Sequence, residues 1–255
     1  MPKAPLILAL LLVSSITVSA QSVDEIISHY LKSIGGLDNI RAVKTLRRTG
    51  KVIGGGGFEA LVQQDNKRGN LVREEFTLQG MTAINAYDGT TAWKIIPWNG
   101  KKDAESLGEE EMKSILEDAD FDGPLVDYQK KGYKIEFLGK DKFEGTETVN
   151  LKITNPNGDI YVWHMDTDYY VPIKVDRKRF VRGEEREYET VLGDYKQVAG
   201  WFMPFAIESG TKGQDKGKIT YDHIDANVAI DDSRFAKPVM GPPAPPTPPS
   251  KKEIR

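Results

Sequence analysis

Short segments of strand-like composition, separated by turn signals, fill most of this chain from residue 45 onward. They recur at intervals of about 8–12 residues, a spacing typical of an antiparallel meander, sheet or barrel. The turns between the early segments fall at 54–57, 66–69, 79–80 and 88–89, where Gly, Asn and Asp are concentrated. The chain is therefore expected to fold around a large antiparallel sheet.

The individual strands follow from alternating apolar residues between these turns. In the first half we predict Thr45–Val52, Phe58–Gln64, Leu71–Leu78, Met81–Ala86 and Thr91–Ile96. In the second half we predict Tyr133–Phe137, Val149–Ile153, Ile160–Met165, Val171–Val175, Arg186–Tyr195, Trp201–Ile207 and Ile219–Ile224.

Two amphipathic helices accompany the strands. Ser22 and Glu25 form a capping-box pattern, and apolar residues at helical spacing predict a helix over Val23–Ile34, ended by Gly35 and Gly36. Leu37–Val43 adds a short helical turn. A second helix is predicted over Gly108–Ala119, with acidic residues in its first turn and an apolar side that contains Met112 and Leu116.

Several strands are apolar on both faces. Tyr161, Trp163 and Met165 alternate with Ile160 and Val162, so both sides of this strand need cover. Two helices cannot cover two faces of so many strands. A curved sheet could enclose an apolar cavity suited to acyl chains under the helices. Alternatively, the sheet could fold over and fill itself with side chains.

The two ends differ from the rest. Residues 1–20 have a basic start, an apolar run and a small-residue site before Gln21, which predicts a cleaved signal peptide and export; an uncleaved anchor is the alternative. Residues 238–255 include seven prolines and predict a solvated, disordered tail. One domain over 21–237 remains between them.

Composition limits the function classes. The chain has no cysteine, so it has neither disulfides nor a lipid-modified cysteine. A net charge of −3 argues against a nucleic-acid partner.

Motifs for catalysis are absent, and we expect neither an enzyme nor a cofactor. His164, Asp166 and Asp168 share a spacing of two that a metal site could use, but a turn over 166–168 explains the aspartates better. The glycines at 54–57 are read as a loop, since no phosphate-binding lysine follows. We therefore expect no metal site.

Several motifs, in this order, resemble those of the LolA-like periplasmic carriers of outer-membrane lipoproteins, in the divergent form known as outer-membrane lipoprotein-sorting proteins. They are the capped helix followed by Val43–Leu46, the basic turn Lys67–Leu71, the strand pair Tyr87–Trp93 with Ile96–Trp98, and Asp168–Lys174 with Gly193–Tyr195 and Phe202–Pro204. The basic turn departs from the carriers, because Gly69 stands where they have proline.

The resemblance implies an α+β, mostly β fold: a curved antiparallel sheet that forms an incomplete β-barrel with a helical lid. It implies a periplasmic protein that binds lipoprotein acyl chains or other lipids and delivers them towards the outer membrane. An inner-membrane release complex and an outer-membrane acceptor would then be its partners. The arginine of the basic turn holds the lid closed in the carriers, and Arg68 occupies that position here.

We expect the cavity to be lined by apolar residues of the two helices and of the aromatic strands. The candidates are Ile27, Leu31, Trp93, Ile95, Met112, Leu116, Trp163, Trp201 and Phe205. We also expect Arg68→Leu to change ligand release more than folding, since an arginine in a surface turn contributes little to stability.

Two other functions remain open. The same fold could serve a periplasmic sensor or binding module that recognises a protein partner. A hydrolase is the third possibility, and its sign would be a buried acid–base pair in the cavity.

Overall fold

The computed structural model describes residues 22–100, 103–181 and 183–238. The predicted signal peptide over 1–20 and the Pro-rich tail beyond Pro238 lie outside the described residues. Among the described residues, no helix is both long enough and apolar enough to cross a bilayer.

Three α-helices form in the described chain, close to where the sequence predicts helices. They are α1 (Val23–Ser33), α2 (Leu37–Ala42) and α3 (Glu109–Ala119). The side chain of Ser22 accepts a hydrogen bond from the Glu25 backbone at 3.1 Å, which confirms it as the N-cap of α1. The Glu111 carboxylate accepts from the Gly108 N–H at 2.9 Å and so caps the start of α3.

Thirteen strands make up one sheet in the described chain. The first six are β1 (Thr45–Ile53), β2 (Glu59–Lys67), β3 (Leu71–Leu78), β4 (Met81–Tyr87), β5 (Ala92–Ile95) and β6 (Glu105–Ser106). The other seven are β7 (Lys134–Phe143), β8 (Thr146–Thr154), β9 (Ile160–Asp166), β10 (Pro172–Val181), β11 (Glu184–Val198), β12 (Trp201–Thr211) and β13 (Gly217–Ala226).

The strand order is β6-β5-β4-β3-β2-β1-β13-β12-β11-β10-β9-β8-β7. Every pair is antiparallel, and each joins strands that are neighbours in the chain except β1–β13, which closes the middle of the sheet. The edge strands β6 and β7 do not pair, so the curved sheet is an incomplete barrel. The predicted fold is confirmed.

The lid connects these two unpaired edges. It comprises α3 and residues 120–133, which together carry the chain from β6 to β7. Ile115 and Ala119 of α3 pack on Val72 of β3 and Ala92 of β5, forming a small apolar cluster. Phe121 and Leu125, further along the lid, join the main core with α1 and strands from both halves of the sheet.

The segment after β13, residues 228–238, covers part of the opposite face of the sheet. Phe235 is completely buried, and its carbonyl accepts a hydrogen bond from the Trp93 indole at 2.8 Å. Asp65 is also completely buried there, between Arg47 at 2.7 Å and Arg234. The segment 228–238 therefore supplies cover that the two predicted helices could not give.

Candidate functional site

A cavity of about 320 Å³ lies between the concave face of the sheet, α1 and the lid. Strands from both halves of the sheet contribute to its walls, so it lies where β1 and β13 bring those halves together. Its volume is near the lower end of the range found for small-molecule pockets. Its lining side chains form two groups of contacting residues, one mainly aromatic and one polar, which we call the aromatic end and the polar end.

The aromatic end is built from side chains of α1, the lid and strands β9, β11 and β12. These are Tyr30, Phe121, Trp163, Tyr195, Trp201 and Phe202. Tyr30 and Trp163 meet edge to face at 5.9 Å, and Tyr195 stacks on Phe202 at 5.5 Å. The wall is thus apolar and held in place by ring contacts.

The two tyrosine hydroxyls at this end stay neutral. Burial raises the pKa of Tyr30 and of Tyr195 well above the usual range. The Tyr195 hydroxyl donates to the Pro172 carbonyl at 2.6 Å, so it is satisfied within the protein.

The polar end centres on Arg48, which projects from β1 into the cavity. Its Nη1 donates to Asn66 Oδ1 at 2.6 Å, and the Asn66 amide donates in turn to the Asp118 carbonyl at 2.8 Å. Asn66 is almost fully buried. This asparagine therefore positions Arg48 and connects β2 to the end of α3.

A second polar chain runs along β2, β3 and β13. The Tyr221 hydroxyl donates to Gln64 Oε1 at 3.4 Å, and the Gln64 amide approaches Glu74 Oε1 at 3.5 Å. Both distances are long for hydrogen bonds, so this chain is loosely held.

Two carboxyl groups near Arg48 titrate far from their usual range. Burial, together with the nearby charge of Asp118, raises the pKa of Glu74 to about 8. Enclosure by the cavity walls, with Glu117 beside it, raises the pKa of Asp118 to about 6. Asp118 nevertheless remains open to solvent from the cavity. At neutral pH, Glu74 is therefore protonated and Asp118 is ionised.

Glu117 fixes α3 to the second half of the sheet. It accepts from Arg177 at 2.6 Å, from Arg179 at 2.5 Å and from the Tyr161 hydroxyl at 2.5 Å. Arg179 is almost fully buried and also binds Asp159 at 3.0 Å. Since α3 packs on β3 and β5 as well, the helix bridges both halves of the concave face.

Arg68 holds the other end of the lid. It makes a bidentate pair with Asp122 of the lid, at 2.9 and 3.0 Å. The same guanidinium donates to the carbonyls of Ile40 at 2.5 Å and Val43 at 2.6 Å, and it lies 4.6 Å from the centre of the Phe121 ring. Arg68 is thus a mostly buried link between the lid, α2 and the β2–β3 turn, rather than a surface arginine.

Of the nine predicted lining residues, two line the cavity and the others lie elsewhere in the fold. Trp163 and Trp201 line the cavity. Ile27 and Leu31 belong to the main core under α1, and Met112 packs in the small cluster under α3. Leu116 faces outward from the lid and is 40% exposed.

Trp93 and Ile95 lie on the convex face, where they border a separate pocket under Arg234 and Pro238. Successive residues of a strand point to opposite faces, and here Ala92 takes the concave side while Trp93 takes the other. Phe205 is buried in the main core, with the Lys196 Nζ 4.6 Å from its ring centre, and does not line the cavity.

The polar lining was not predicted. Arg48 follows Arg47 in a strand, and alternation sends one arginine to each face, but the pattern does not show which face encloses a cavity. Asp118 and Phe121 lie around the end of α3, where the helical spacing of apolar residues predicts the helix but not which side chains reach the cavity. Their role depends on how the lid crosses the sheet.

A turn follows β9 at residues 167–169, one residue later than predicted, and Asp166 is the last residue of the strand. Asp166 Oδ1 accepts from the backbone N–H groups of Asp168 at 3.1 Å and Tyr169 at 2.6 Å. His164 instead pairs with Asp176 at 2.9 Å on β10. Within the described residues, no group of three or more potential ligands is arranged to hold a metal ion.

Neither a protein-family model nor a curated protein matches this chain in sequence. Similarity appears at the level of structure. A LolA superfamily protein from Nitrosomonas europaea is similar with a TM-score of 0.58 and 12% identity, over 86% of this chain and 99% of that one.

Two further structures extend this result. A domain from Vibrio parahaemolyticus assigned to the outer membrane lipoprotein-sorting proteins has a TM-score of 0.55 and 12% identity, over 83% of this chain and 97% of that one. A DUF1329 family protein from Desulfovibrio piger has a TM-score of 0.60 and 12% identity, over 85% of this chain and 98% of that one. The chain therefore has the LolA-like fold that its motifs predict.

Proposed function

We propose that this protein is a periplasmic carrier that binds the acyl chains of lipoproteins or other lipids and delivers them towards the outer membrane. One observation carries the proposal: an aromatic-walled cavity lies under a lid in a LolA-like fold. The carrier holds its cargo without catalysis.

Binding draws on burial of apolar surface. Each methylene that leaves water gains at most about 0.8 kcal/mol, so affinity rises with chain length until the cavity is full. The aromatic end presents rigid rings that an acyl chain can contact without ordering flexible side chains.

Release requires the lid to move. Arg68–Asp122 holds one end of the lid, and Glu117 with Arg177 and Arg179 holds α3. A partner that binds the open lid better than the closed lid would shift this balance. An inner-membrane release complex would load the cavity in this way, and an outer-membrane acceptor would empty it.

The direct test is binding of a fluorescent fatty-acid probe to the purified protein. The probe should bind and be displaced by unlabelled acyl chains, with longer chains displacing it at lower concentration. Native mass spectrometry of the same preparation should show co-purified lipid. A folded protein that binds no acyl chain and carries no lipid would overturn the carrier proposal and favour a sensor of a protein partner.

Hydrolysis is a second candidate because Glu74 and Asp118 are neighbouring carboxyl groups with pKa values raised to about 8 and about 6. Of the two, Asp118 lines the cavity, whereas Glu74 borders a separate pocket. The test is release of nitrophenol from p-nitrophenyl dodecanoate. The carrier proposal predicts the same rate for the wild type and Glu74→Gln. A rate that collapses in Glu74→Gln would instead support hydrolysis.

A further inference from the structure

Some of the charged side chains that line the cavity have an ion-pair partner in the described chain and others have none. Among the described lining residues, Arg48 is the only basic side chain, while Asp118, Asp120 and Asp122 are acidic. Asp120 pairs with Lys131 at 2.5 Å, and Asp122 pairs with Arg68 at 2.9 Å. Arg48 and Asp118 are left facing the cavity.

These two groups do not pair with each other. Within the described residues, Arg48 makes no ion pair and only the hydrogen bond to Asn66, although its guanidinium carries five N–H donors. The Asp118 carboxylate accepts no hydrogen bond from a described residue. Unused donors and acceptors therefore line the same end of the cavity.

The two groups respond differently to a charged ligand. A guanidinium cannot release its proton, so a cationic headgroup would meet a permanent like charge. An anionic headgroup would meet Asp118, which can take up a proton because its pKa is already raised to about 6. The protonated carboxyl group would then donate a hydrogen bond beside Arg48. This asymmetry favours an anion.

We propose that the cavity binds an amphiphile with one acyl chain and an anionic headgroup, a carboxylate or a phosphate, held by Arg48. The inference rests on the proposed lipid-binding function and names the class of ligand. The headgroup lies at the polar end, and the chain runs between Trp163, Trp201 and Phe121. A volume of about 320 Å³ suits one chain rather than several.

Proton uptake at Asp118 accompanies binding of the anion. The charged groups that act on Asp118 are Glu117 on its own helix, Arg48 on β1 and Arg177 on β10. Asp118 in turn acts on Glu74 of β3 and Tyr221 of β13. Its ionised form repels an anion bound at Arg48, so affinity for the anion should rise as the pH falls through about 6.

The test compares three ligands of equal chain length by calorimetry on the purified protein. Dodecanoate and dodecyl phosphate carry the anion, and dodecanol carries none. Both anionic ligands should bind at least about tenfold more tightly than dodecanol. A preference for only one of them would identify the headgroup as carboxylate or phosphate.

Arg48→Gln should abolish this preference and leave dodecanol affinity unchanged. The matched control is Arg186→Gln, an exposed arginine on β11 that lies outside the cavity lining, which should keep the preference. Asp118→Asn retains the shape of the side chain. It should keep anion binding but lose the increase in affinity that protonation of Asp118 gives the wild type as the pH falls through about 6.

The outcomes separate this inference from the proposed function. If dodecanol and dodecanoate bind equally well, and Arg48→Gln changes neither, the headgroup site is refuted while lipid binding stands. If Arg48→Gln weakens both ligands alike, Arg48 supports the cavity rather than the headgroup, and the inference also fails. If no ligand binds the wild type, the carrier proposal itself fails.

Discussion

Arg68 joins the lid to α2 and to the turn between β2 and β3. The basic turn marks the residue, but its partner Asp122 lies 54 positions away in the lid, and no local pattern connects the two. The structure also changes the expected effect of its loss, because the guanidinium satisfies two backbone carbonyls as well as the carboxylate. Arg68 should therefore affect folding as well as release.

Arg68→Leu should lower the free energy of unfolding by about 2–3 kcal/mol, since it leaves buried acceptors without a donor. Asp122→Asn removes the ion pair but keeps the two carbonyl contacts, so it should cost about half as much. Both variants should speed release of a bound acyl probe in stopped-flow measurements. Unchanged release in both, despite lost stability, would assign Arg68 a structural role only.

Glu74 makes the free energy of unfolding depend on pH, and the direction of this dependence follows from its pKa. Its pKa in the folded protein, about 8, lies above the usual value of a glutamate. At a pH between these two pKa values, the folded chain keeps a proton that the unfolded chain has released. The associated stability is complete below the unfolded-state pKa and falls as the pH rises towards about 8. The slope is at most about 1.4 kcal/mol per pH unit.

Glu74→Gln should remove this slope above about pH 6.5, where Asp118 no longer titrates, and denaturant unfolding at about pH 6.5, 7.2 and 8 would measure it. The variant should gain stability relative to the wild type as the pH rises. Glu185→Gln, at an exposed position of β11, should leave the wild-type slope unchanged. A wild-type slope that persists in Glu74→Gln would mean that another group carries it.

At the scale of elements, local patterns predict most of the fold. The predicted Leu71–Leu78 matches β3, and the other predicted strands in the first half differ by a few residues, because alternation and turn glycines act within each segment. The faces were harder to assign. Trp93 lies opposite the cavity, where the segment after β13 packs on it, a contact between distant parts of the sequence.

The end of α1 offers a matched pair of glycines. Gly35 and Gly36 both have positive φ, 112° and 85°. A Cβ at Gly35 would lie 1.8 Å from the Gly200 carbonyl oxygen, whereas one at Gly36 would meet nothing within 4 Å. Gly36→Ala should cost about 1–3 kcal/mol for its backbone conformation alone (φ 85°, ψ 154°), and Gly35→Ala clearly more. Equal losses in thermal unfolding would contradict the close approach of α1 to the β11–β12 turn.

The segment after β13 is structural up to Phe235. Phe235→Ala should cost about 3–5 kcal/mol, since the ring is completely buried. Deletion of residues 239–255 should leave the melting temperature nearly unchanged, because a Pro-rich segment of this kind buries little surface. A large loss on that deletion would show that the tail packs on the folded domain.

At the scale of the molecule, strands apolar on both faces predict a sheet that needs cover on both sides. The structure provides it with α1 and the lid on one face and residues 228–238 on part of the other. The sequence pattern alone is compatible with either a cavity or a filled interior. The structure contains a cavity with a charged end. Arg48 of β1 and Asp118 of α3 come together there because the lid crosses the sheet.

The central claim, that acyl chains bind in this cavity, can be tested by the tryptophans themselves. The chain has four, of which Trp163 and Trp201 line the cavity and Trp93 lies on the opposite face. A brominated acyl chain quenches indole fluorescence only near contact. It should quench the wild-type protein strongly, and much less after Trp163→Phe and Trp201→Phe are combined in a variant that still binds the chain. Equal fractional quenching in that variant, or no binding to the wild type, would contradict the account.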